Sequence, residues 1–452
     1  MKFNRRKFLE ITASGAGTAL IPGIVIGNDH FLERGNAFSI KEASRAINIV
    51  GEYDVIVCGG GPAGIAAAIG AARSGARTCL IELYGCLGGV WTTGLLCNIL
   101  DYSNKNGIMK EIMNRLSNTD AQLSPKIYDA EAMKLILEQF CMEVGVDVRL
   151  YTRVVAAVKN GKILETIITE SNSGREAWKA KCFIDATGNG DLAAQAGCSF
   201  DLGRAETEKM QPMSLMAVVC GIKTKDVFEY LKSENDFSSQ DKQYLRLEIE
   251  KLGFTPSYGN PTLFAIRPDF TALMANHEYG VSPLDAQQLS NATIRARVEV
   301  NKIINGLRSL GGVWKDIRLV ATGSQIGIRE GRRIIGRYYL TKDDIVKGAE
   351  FDDAVCKVTY WVDIHSLDYH VKGYTTYSVE AKPYDIPLRS LIAKDVNGLM
   401  MAGRCISGDF FSHASYRVTG NAVAMGEAAG IVAAQAAAAN CFPQDIKWTG
   451  LK

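Results

Sequence analysis

The sequence lacks most of the marks of a metal centre or a redox disulfide. Its 11 cysteines are scattered from Cys58 to Cys441, and none forms a C-x-x-C pair. It has only five histidines, and none clusters near a cysteine pair. Both absences argue against zinc, and no metal ligand is assigned. The formal net charge is only +2, with 22% charged residues. No global basic field therefore recruits nucleic acid, DNA included, or an anionic membrane. There are no internal repeats and no long low-complexity linker. What is abundant is apolar side chain: 47% of 452 residues, enough for a large core and two or three domains.

The first residues differ from the rest. Asn4-Arg5-Arg6-Lys7-Phe8-Leu9 precedes a mild apolar run from Ile11 to Ile26, broken by Pro22 and Gly23. The run is weak for a spanning helix. It reads as an export leader over residues 1–35 and resembles a bacterial twin-arginine signal. The expected location is periplasmic or otherwise exported, with a membrane anchor as the alternative should the leader stay uncleaved.

Tyr53 to Cys58 is a β-branched strand candidate, followed at once by Gly59-Gly60-Gly61-Pro62-Ala63-Gly64. An alanine-rich helix over Pro62 to Arg73 and a second strand, Thr78 to Glu82, complete a βαβ unit. Ala130 to Val144 is an amphipathic helix candidate. Val146 to Thr169 holds two β-rich segments around the hairpin signal Asn160-Gly161. Lys181 to Asp185 is another strand. The alternation then stops: Lys223 to Leu252 reads as a charged surface helix, and Ser282-Pro283-Leu284-Asp285 as a helix start with Ser282 as cap. The end returns to strand, loop and helix, with small residues from Gly420 to Ala439. The expected fold is α/β: a discontinuous Rossmann-like domain, residues 50–202 and 384–440, with an inserted α+β substrate domain, 203–383.

The glycine loop follows a strand and opens a helix, which makes Gly59-x-Gly61-x-x-Gly64 a dinucleotide signal. Gly59 permits the tight turn, Gly61 admits a pyrophosphate to the backbone, and Gly64 lets helix and strand pack closely. Pro62 and Ala63 open the helix whose free N–H groups meet the phosphate charge. Glu82, ending the second strand, is placed to accept hydrogen bonds from ribose hydroxyls. Three later features select FAD over NAD. Gly88, Gly89 and Thr93 form a second glycine-rich loop; Ala186-Thr187-Gly188 ends a later strand; Ala402-Gly403-Arg404 precedes a helix whose start, with Asn421 and Ala422, is expected against the flavin. Val154, in the β-rich segment, is also expected at the cofactor.

These stretches resemble the FAD-dependent oxidoreductase family, distantly related to fumarate reductase flavoproteins and including members labelled xanthan lyase. The matching residues are Asp54 to Gly94, Cys182 to Gly197, Thr322 to Asp343, Trp361 to His365, Tyr384 to Ile392 and Leu399 to Ala433, roughly half the chain. The resemblance implies FAD, two domains and an active site between them, and names no substrate. The substrate region is compact, and no Arg or Lys stands near Tyr84-Gly85, where relatives often carry one. A second G-x-G-x-x-G is absent, and Cys86 and Cys97 lack disulfide-reductase spacing. Electrons therefore leave through an unidentified acceptor or a second substrate. No histidine occupies the first glycine-rich loop, which argues against covalent flavin there.

On the substrate side, Gln325, Arg329 and Arg332 or Arg333 stand at helical spacing, and Arg329 is the expected anion clamp. His365, in Asp363-Ile364-His365, is the candidate general base. Tyr384 and Arg389 are further catalytic candidates by their place near the domain junction, and His413 by its place, with Arg417, in the loop before the closing helix, near the expected flavin face. The expected activity is hydride transfer between flavin and a small polar molecule: a sugar, sugar acid or carboxylate. A redox-neutral lyase and a non-catalytic exported flavin carrier are the alternatives. A homo-oligomer is left open.

Overall fold

The computed structural model describes residues 40–119, 122–232 and 240–450. The expected leader, 1–35, lies outside the described residues.

The β-branched run forms strand β1 (Ile49–Cys58), and the alanine-rich run forms helix α1 (Pro62–Arg73). Strands β2 (Thr78–Ile81), β3 (Asp147–Arg149), β4 (Arg153–Asn160), β5 (Ile163–Ser171) and β6 (Gly174–Asp185) complete the main sheet, ordered β3-β2-β1-β6-β5-β4. β1, β2, β3 and β6 run parallel, whereas β4, β5 and β6 form an antiparallel meander. The β4–β5 turn is Gly161-Lys162, one residue beyond the expected Asn160-Gly161, because Asn160 still pairs with Ile163. β6 is long enough to serve two neighbours. Its first half pairs with β5, and its last residues pair in parallel with the strand Leu399–Met401. A segment more than two hundred residues away thus joins the same sheet, which makes the fold α/β and Rossmann-like. Cys58, Ile81, Asp185 and Met401 lie in register at one edge, so the loops that follow them gather at the carboxyl ends of the strands.

The C-terminal helix Thr419–Ala439 is long and apolar enough to cross a membrane, but most of it is buried in the protein. Its small residues have a packing cause. A Cβ on Gly426 would sit 2.0 Å from the Ala63 carbonyl, and one on Gly430 would sit 2.1 Å from that of Ala67. The two helices therefore touch through backbone. Gly430→Ala is expected to lower stability by about 1–3 kcal/mol through overpacking, read by denaturant titration.

Paired strands Phe200–Asp201 and Arg333–Ile334 mark where the chain leaves and re-enters the first core. Between them stands a four-stranded antiparallel sheet, ordered Arg318–Thr322, Ala217–Cys220, Phe270–Met274, Thr262–Arg267, with its own core against helices Gln240–Glu250 and Ala286–Leu310. Ile334 to Pro383, expected with the insertion, packs with the first core: the ladder between Ala354–Val358 and Tyr384–Pro387 straddles position 383.

Two local expectations change. The long helix begins at Ala286, not at Pro283, because the Asp285 carboxylate accepts the free N–H groups of Gln287 (2.8 Å) and Gln288 (3.0 Å). In Lys223–Leu252 the described α-helix is confined to Gln240–Glu250, preceded by two single 3₁₀ turns.

Candidate functional site

The loops at the carboxyl edge of the main sheet enclose a cavity of about 690 Å³. Gly59, Gly61, Pro62 and Ala63 line it from the glycine loop, with Glu82 and Gly89 beyond β2. Val154 enters from β4. Ala186, Thr187 and Gly188 follow β6, and Gly403, Arg404 and Ala422 come from the C-terminal segment. All thirteen were expected at the cofactor.

The cradle has physical causes. Gly59 has φ +103, and a Cβ there would meet the Ala186 carbonyl at 2.4 Å. Its turn lets two strand-end loops touch. The Glu82 carboxylate accepts from the backbone N–H of Gly60 (2.5 Å) and Tyr84 (2.8 Å), tying the glycine loop to the end of β2. Burial holds its pKa above the ordinary carboxylate range. Asp185, buried and with its carboxyl pushed up to about 6 by that burial, accepts from Thr187 N–H and hydroxyl and from Ala193 N–H, fixing the turn after β6. Neither α1 nor the C-terminal helix has a side-chain cap at its N-terminus, and both first turns border the cavity. Their backbone N–H groups are thus available to an anion.

FAD fits this cradle. A Cβ at Gly61 would meet no atom of the described residues within 4 Å, so that side opens to the ligand. The cavity size suits a large ligand. Arg153, Arg332, Arg404 and Arg417 add positive charge along its walls.

Four expected cofactor residues do not line this cavity. Gly64 acts through packing, since a Cβ there would lie 1.7 Å from the Gly59 carbonyl. Gly88 is a turn residue whose N–H donates to Gly60 O at 2.8 Å. Thr93 bonds Gly89 O (2.7 Å) and the Gln325 amide oxygen (2.9 Å), and Gln325 is the one that faces the cavity. Asn421 is buried inside the first turn of the C-terminal helix.

A second pocket of about 210 Å³ adjoins the first, sharing Val90, Ile328, Arg404, Arg417 and Thr419. Arg329, Asp363 and His365 line it, with Tyr258, Phe264, Trp361 and Tyr374 as aromatic walls. The strand Ile364–His365 pairs with Tyr374–Thr375, so Asp363 and His365 fall on one side. His365 Nε2 lies 3.5 Å from Asp363 Oδ2. Arg417 Nη2 donates to the Asp363 carbonyl (2.9 Å) and carboxylate (3.3 Å). Arg329 Nη1 donates to the Pro212 carbonyl at 2.6 Å.

Electrostatics follow from this crowding. Burial and the nearby Arg417 push the Arg329 pKa down to about 10. Burial and Arg329 push His365 down to about 4, so its imidazole is neutral at neutral pH. Burial works to raise Asp363, but His365 and the Arg417 and Arg329 guanidiniums outweigh it and hold the carboxyl below its ordinary range.

Three catalytic candidates fall elsewhere. Tyr384 is fully buried in the first core, on the ladder with Ala354–Val358. Arg389 forms a bidentate ion pair with Asp353 (3.0 and 3.1 Å) and lines neither pocket. His413 is fully buried, edge-on to Tyr416 with ring centres 5.5 Å apart. Position along the chain, near the junction for Tyr384 and Arg389 and before the closing helix for His413, suggested them; side-chain direction removes them. The helical spacing read for Gln325–Arg333 is also corrected. The segment is extended, its Gly327 bridging to Ser214, so Arg329 reaches the small pocket, Arg332 borders the large cavity, and Arg333 is buried against Glu330 at 2.6 Å. Asp363 and His277 were not singled out in the sequence. Their one signal was chemical: Asp363 shares a strand face with His365, and His277 is one of few histidines.

A search of curated proteins finds no match. Solved structures that resemble the chain include a geranylgeranyl bacteriochlorophyll reductase-like protein from Thermoplasma acidophilum (15% identity, 87% of this chain and 78% of that one, TM-score 0.42). A flavin-dependent brominase aligns at 14% identity over 88% of this chain and 81% of its own, TM-score 0.45. The myxobacterial chondrochloren halogenase, an FAD-dependent enzyme, aligns at 12% over 87% and 77%, TM-score 0.46. The model of the family described as FAD dependent oxidoreductase matches residues 54–452, nearly all of the described chain. With the cradle at the carboxyl edge of the sheet, that match makes the chain a member of the FAD dependent oxidoreductase family, a redox enzyme whose cofactor is FAD.

Proposed function

We propose that the protein is a dehydrogenase or reductase that moves a hydride between FAD and a small polar substrate carrying a carboxylate or sugar-acid group. Bound FAD supplies the two-electron carrier. The reading rests on Arg329. Its guanidinium sits in the small pocket, bonded to a backbone carbonyl, and makes no ion pair among the described residues. Arg417 Nε and Gln211 Nε2, buried near the same wall, also lack partners among the described residues. Among the described residues that line the pocket, Arg329, Arg404 and Arg417 face a single carboxylate, Asp363, so the pocket carries surplus positive charge. A desolvated cation is costly without a counter-charge, and a substrate anion provides one. A bidentate guanidinium would also orient it.

His365 then acts as base on the bound substrate, and Asp363 beside it favours the protonated ring. The aromatic walls exclude water. The test is anaerobic addition of sugars, sugar acids and small carboxylates to yellow holoprotein. Bleaching by an acid supports the reading; bleaching by neutral sugars alone sinks it.

The base also sets a pH profile. The working form is the neutral ring, which predominates above its folded pKa of about 4. The bleaching rate should stay flat from about pH 8 to about pH 5 and fall only below, whereas an ordinary histidine loses its basic form from about 6.5. Stability follows the same sign. As pH falls from the unfolded value of about 6.5 toward the folded one, the unfolded chain takes up a proton the native ring refuses, and stability is lost. Stopped-flow bleaching across pH checks the profile. An acid limb near 6.5 would remove His365 as a base of this kind.

A further inference from the structure

A chain of hydrogen bonds leads away from the small pocket. His365 Nδ1 lies 3.1 Å from His277 Nε2. His277 Nδ1 lies 3.1 Å from the Tyr279 hydroxyl oxygen. That hydroxyl donates to the Ser257 carbonyl at 3.3 Å. Both histidines are buried, Tyr279 is half-buried, and its ring meets the exposed Tyr369 edge-on at 5.5 Å. The chain therefore runs from the pocket wall to a half-buried tyrosine that borders the exposed Tyr369.

A single group sets its polarity. A backbone carbonyl only accepts, and a tyrosine hydroxyl has one proton. With that proton on the Ser257 carbonyl, Tyr279 must accept from His277, which places a proton on His277 Nδ1. A neutral imidazole carries one N–H. His277 Nε2 is then bare and accepts from His365 Nδ1–H. In this polarity His365 Nε2 carries its lone pair 3.5 Å from Asp363 Oδ2; in the reversed polarity Nε2–H faces that carboxylate, and this is the state in which the relay ends.

The surroundings keep both rings neutral. Burial first, then Arg329 and His365, hold His277 well below its ordinary value. Tyr258 stacks over His277 with ring centres 4.1 Å apart. Arg329 and Arg417 oppose a positive His365, and Asp363 favours one. A base so reluctant to stay charged needs an outlet for the proton it takes.

We propose that His365, His277 and Tyr279 form a proton relay that carries the substrate's proton from His365 Nε2 to solvent at the Tyr279 hydroxyl. The inference rests on the pocket being the site of hydride transfer. The substrate O–H bond breaks as an Nε2–H bond forms on His365. His365 Nδ1 gives its proton to His277 Nε2, and His277 Nδ1 gives its proton to the Tyr279 oxygen. The original hydroxyl proton passes to water. All three rings end neutral with their hydrogen bonds reversed. The electron pair leaves the substrate with the hydride and does not enter the relay. His277 and Tyr279 act through His365 and are positioning residues.

The test uses holoprotein with ¹⁵N-labelled histidine, its signals assigned from the His277→Asn and His365→Asn variants. At neutral pH both rings should be neutral and protonated on Nδ1. Tyr279→Phe removes the terminal acceptor and should switch both rings to the Nε2–H form together. Either native ring protonated on Nε2, or a variant in which fewer than both rings switch, overturns the relay. A second readout uses whichever carboxylate of the panel bleaches the native protein. Tyr279→Phe should slow that bleaching about tenfold, a modest share of a general-base contribution, with the half-saturating concentration unchanged. An unchanged rate overturns the relay. Concerted switching in a protein that no panel compound bleaches supports the polarised chain and refutes the hydride-transfer reading.

Discussion

Arg329→Met is expected to give a folded, yellow protein that no longer captures the acid substrate proposed for the small pocket. Nothing in the cofactor cradle depends on this side chain: it lines the small pocket and is absent from the wall of the large one. Its one strong bond is to the Pro212 carbonyl, with Met274 sulfur 3.8 Å from the other amino group. Methionine fills similar volume without the charge. Removing a cation that has no ion-pair partner among the described residues relieves a desolvation cost, so the melting temperature should hold or rise. The loss falls on binding. Removing one partner of a desolvated charge pair costs about 3–5 kcal/mol, an affinity drop of roughly 10² to 4 × 10³-fold. Arg329→Lys should recover little, because a point charge cannot hold the carbonyl and fork a carboxylate together. Titrating the substrate against the flavin absorption band reads the effect. Unchanged affinity in a fully flavinated variant would show that the anion docks elsewhere.

Gly61→Val and Gly64→Ala, three residues apart, are expected to fail in opposite ways. Gly61 has φ −74 and ψ −176, an extended conformation open to any residue. A Cβ there meets no atom of the described residues within 4 Å. The valine variant should fold with a thermal midpoint within about 2 °C of the cofactor-free native protein. Its side chain then stands where the ligand must approach the backbone, and the protein should purify colourless. Gly64→Ala drives a methyl to 1.7 Å from the Gly59 carbonyl, so the first turn of α1 must part from the loop. That is overpacking against backbone, which does not yield as a side chain does, and should exceed about 3 kcal/mol. Absorbance and thermal denaturation of the two variants separate the cases. A yellow Gly61→Val protein would contradict the placement of the cofactor.

Much of the cofactor side was legible in the chain. A strand, a glycine turn and an alanine-rich helix are local, and the spacing of Gly59, Gly61 and Gly64 needs only the geometry of one turn. Glu82 follows at the end of the next strand for the same reason. The Gly403 segment was also readable, because a chain that must pair beside β6 carries its own strand and small-residue helix. The substrate side was harder. Arg329 and His365, chosen by residue type, line the small pocket, but Tyr384, Arg389 and His413 were drawn in by closeness along the chain. In the fold Tyr384 and His413 point into the core, and Arg389 is held by Asp353.

By itself the sequence determined the dinucleotide loop, its helix and the acidic residue that ties them, since each depends on contacts within one βαβ unit. Only the tertiary structure decided the small pocket. Its wall joins Arg329 from an extended crossing segment, Asp363 and His365 from a short strand, and Arg417 from the loop before the last helix. His277, which carries the chain of hydrogen bonds outward, comes from beyond the second sheet. No periodicity links residues so far apart. Their convergence is set by how two cores pack around one edge of a sheet, and by which backbone carbonyls remain to direct each proton.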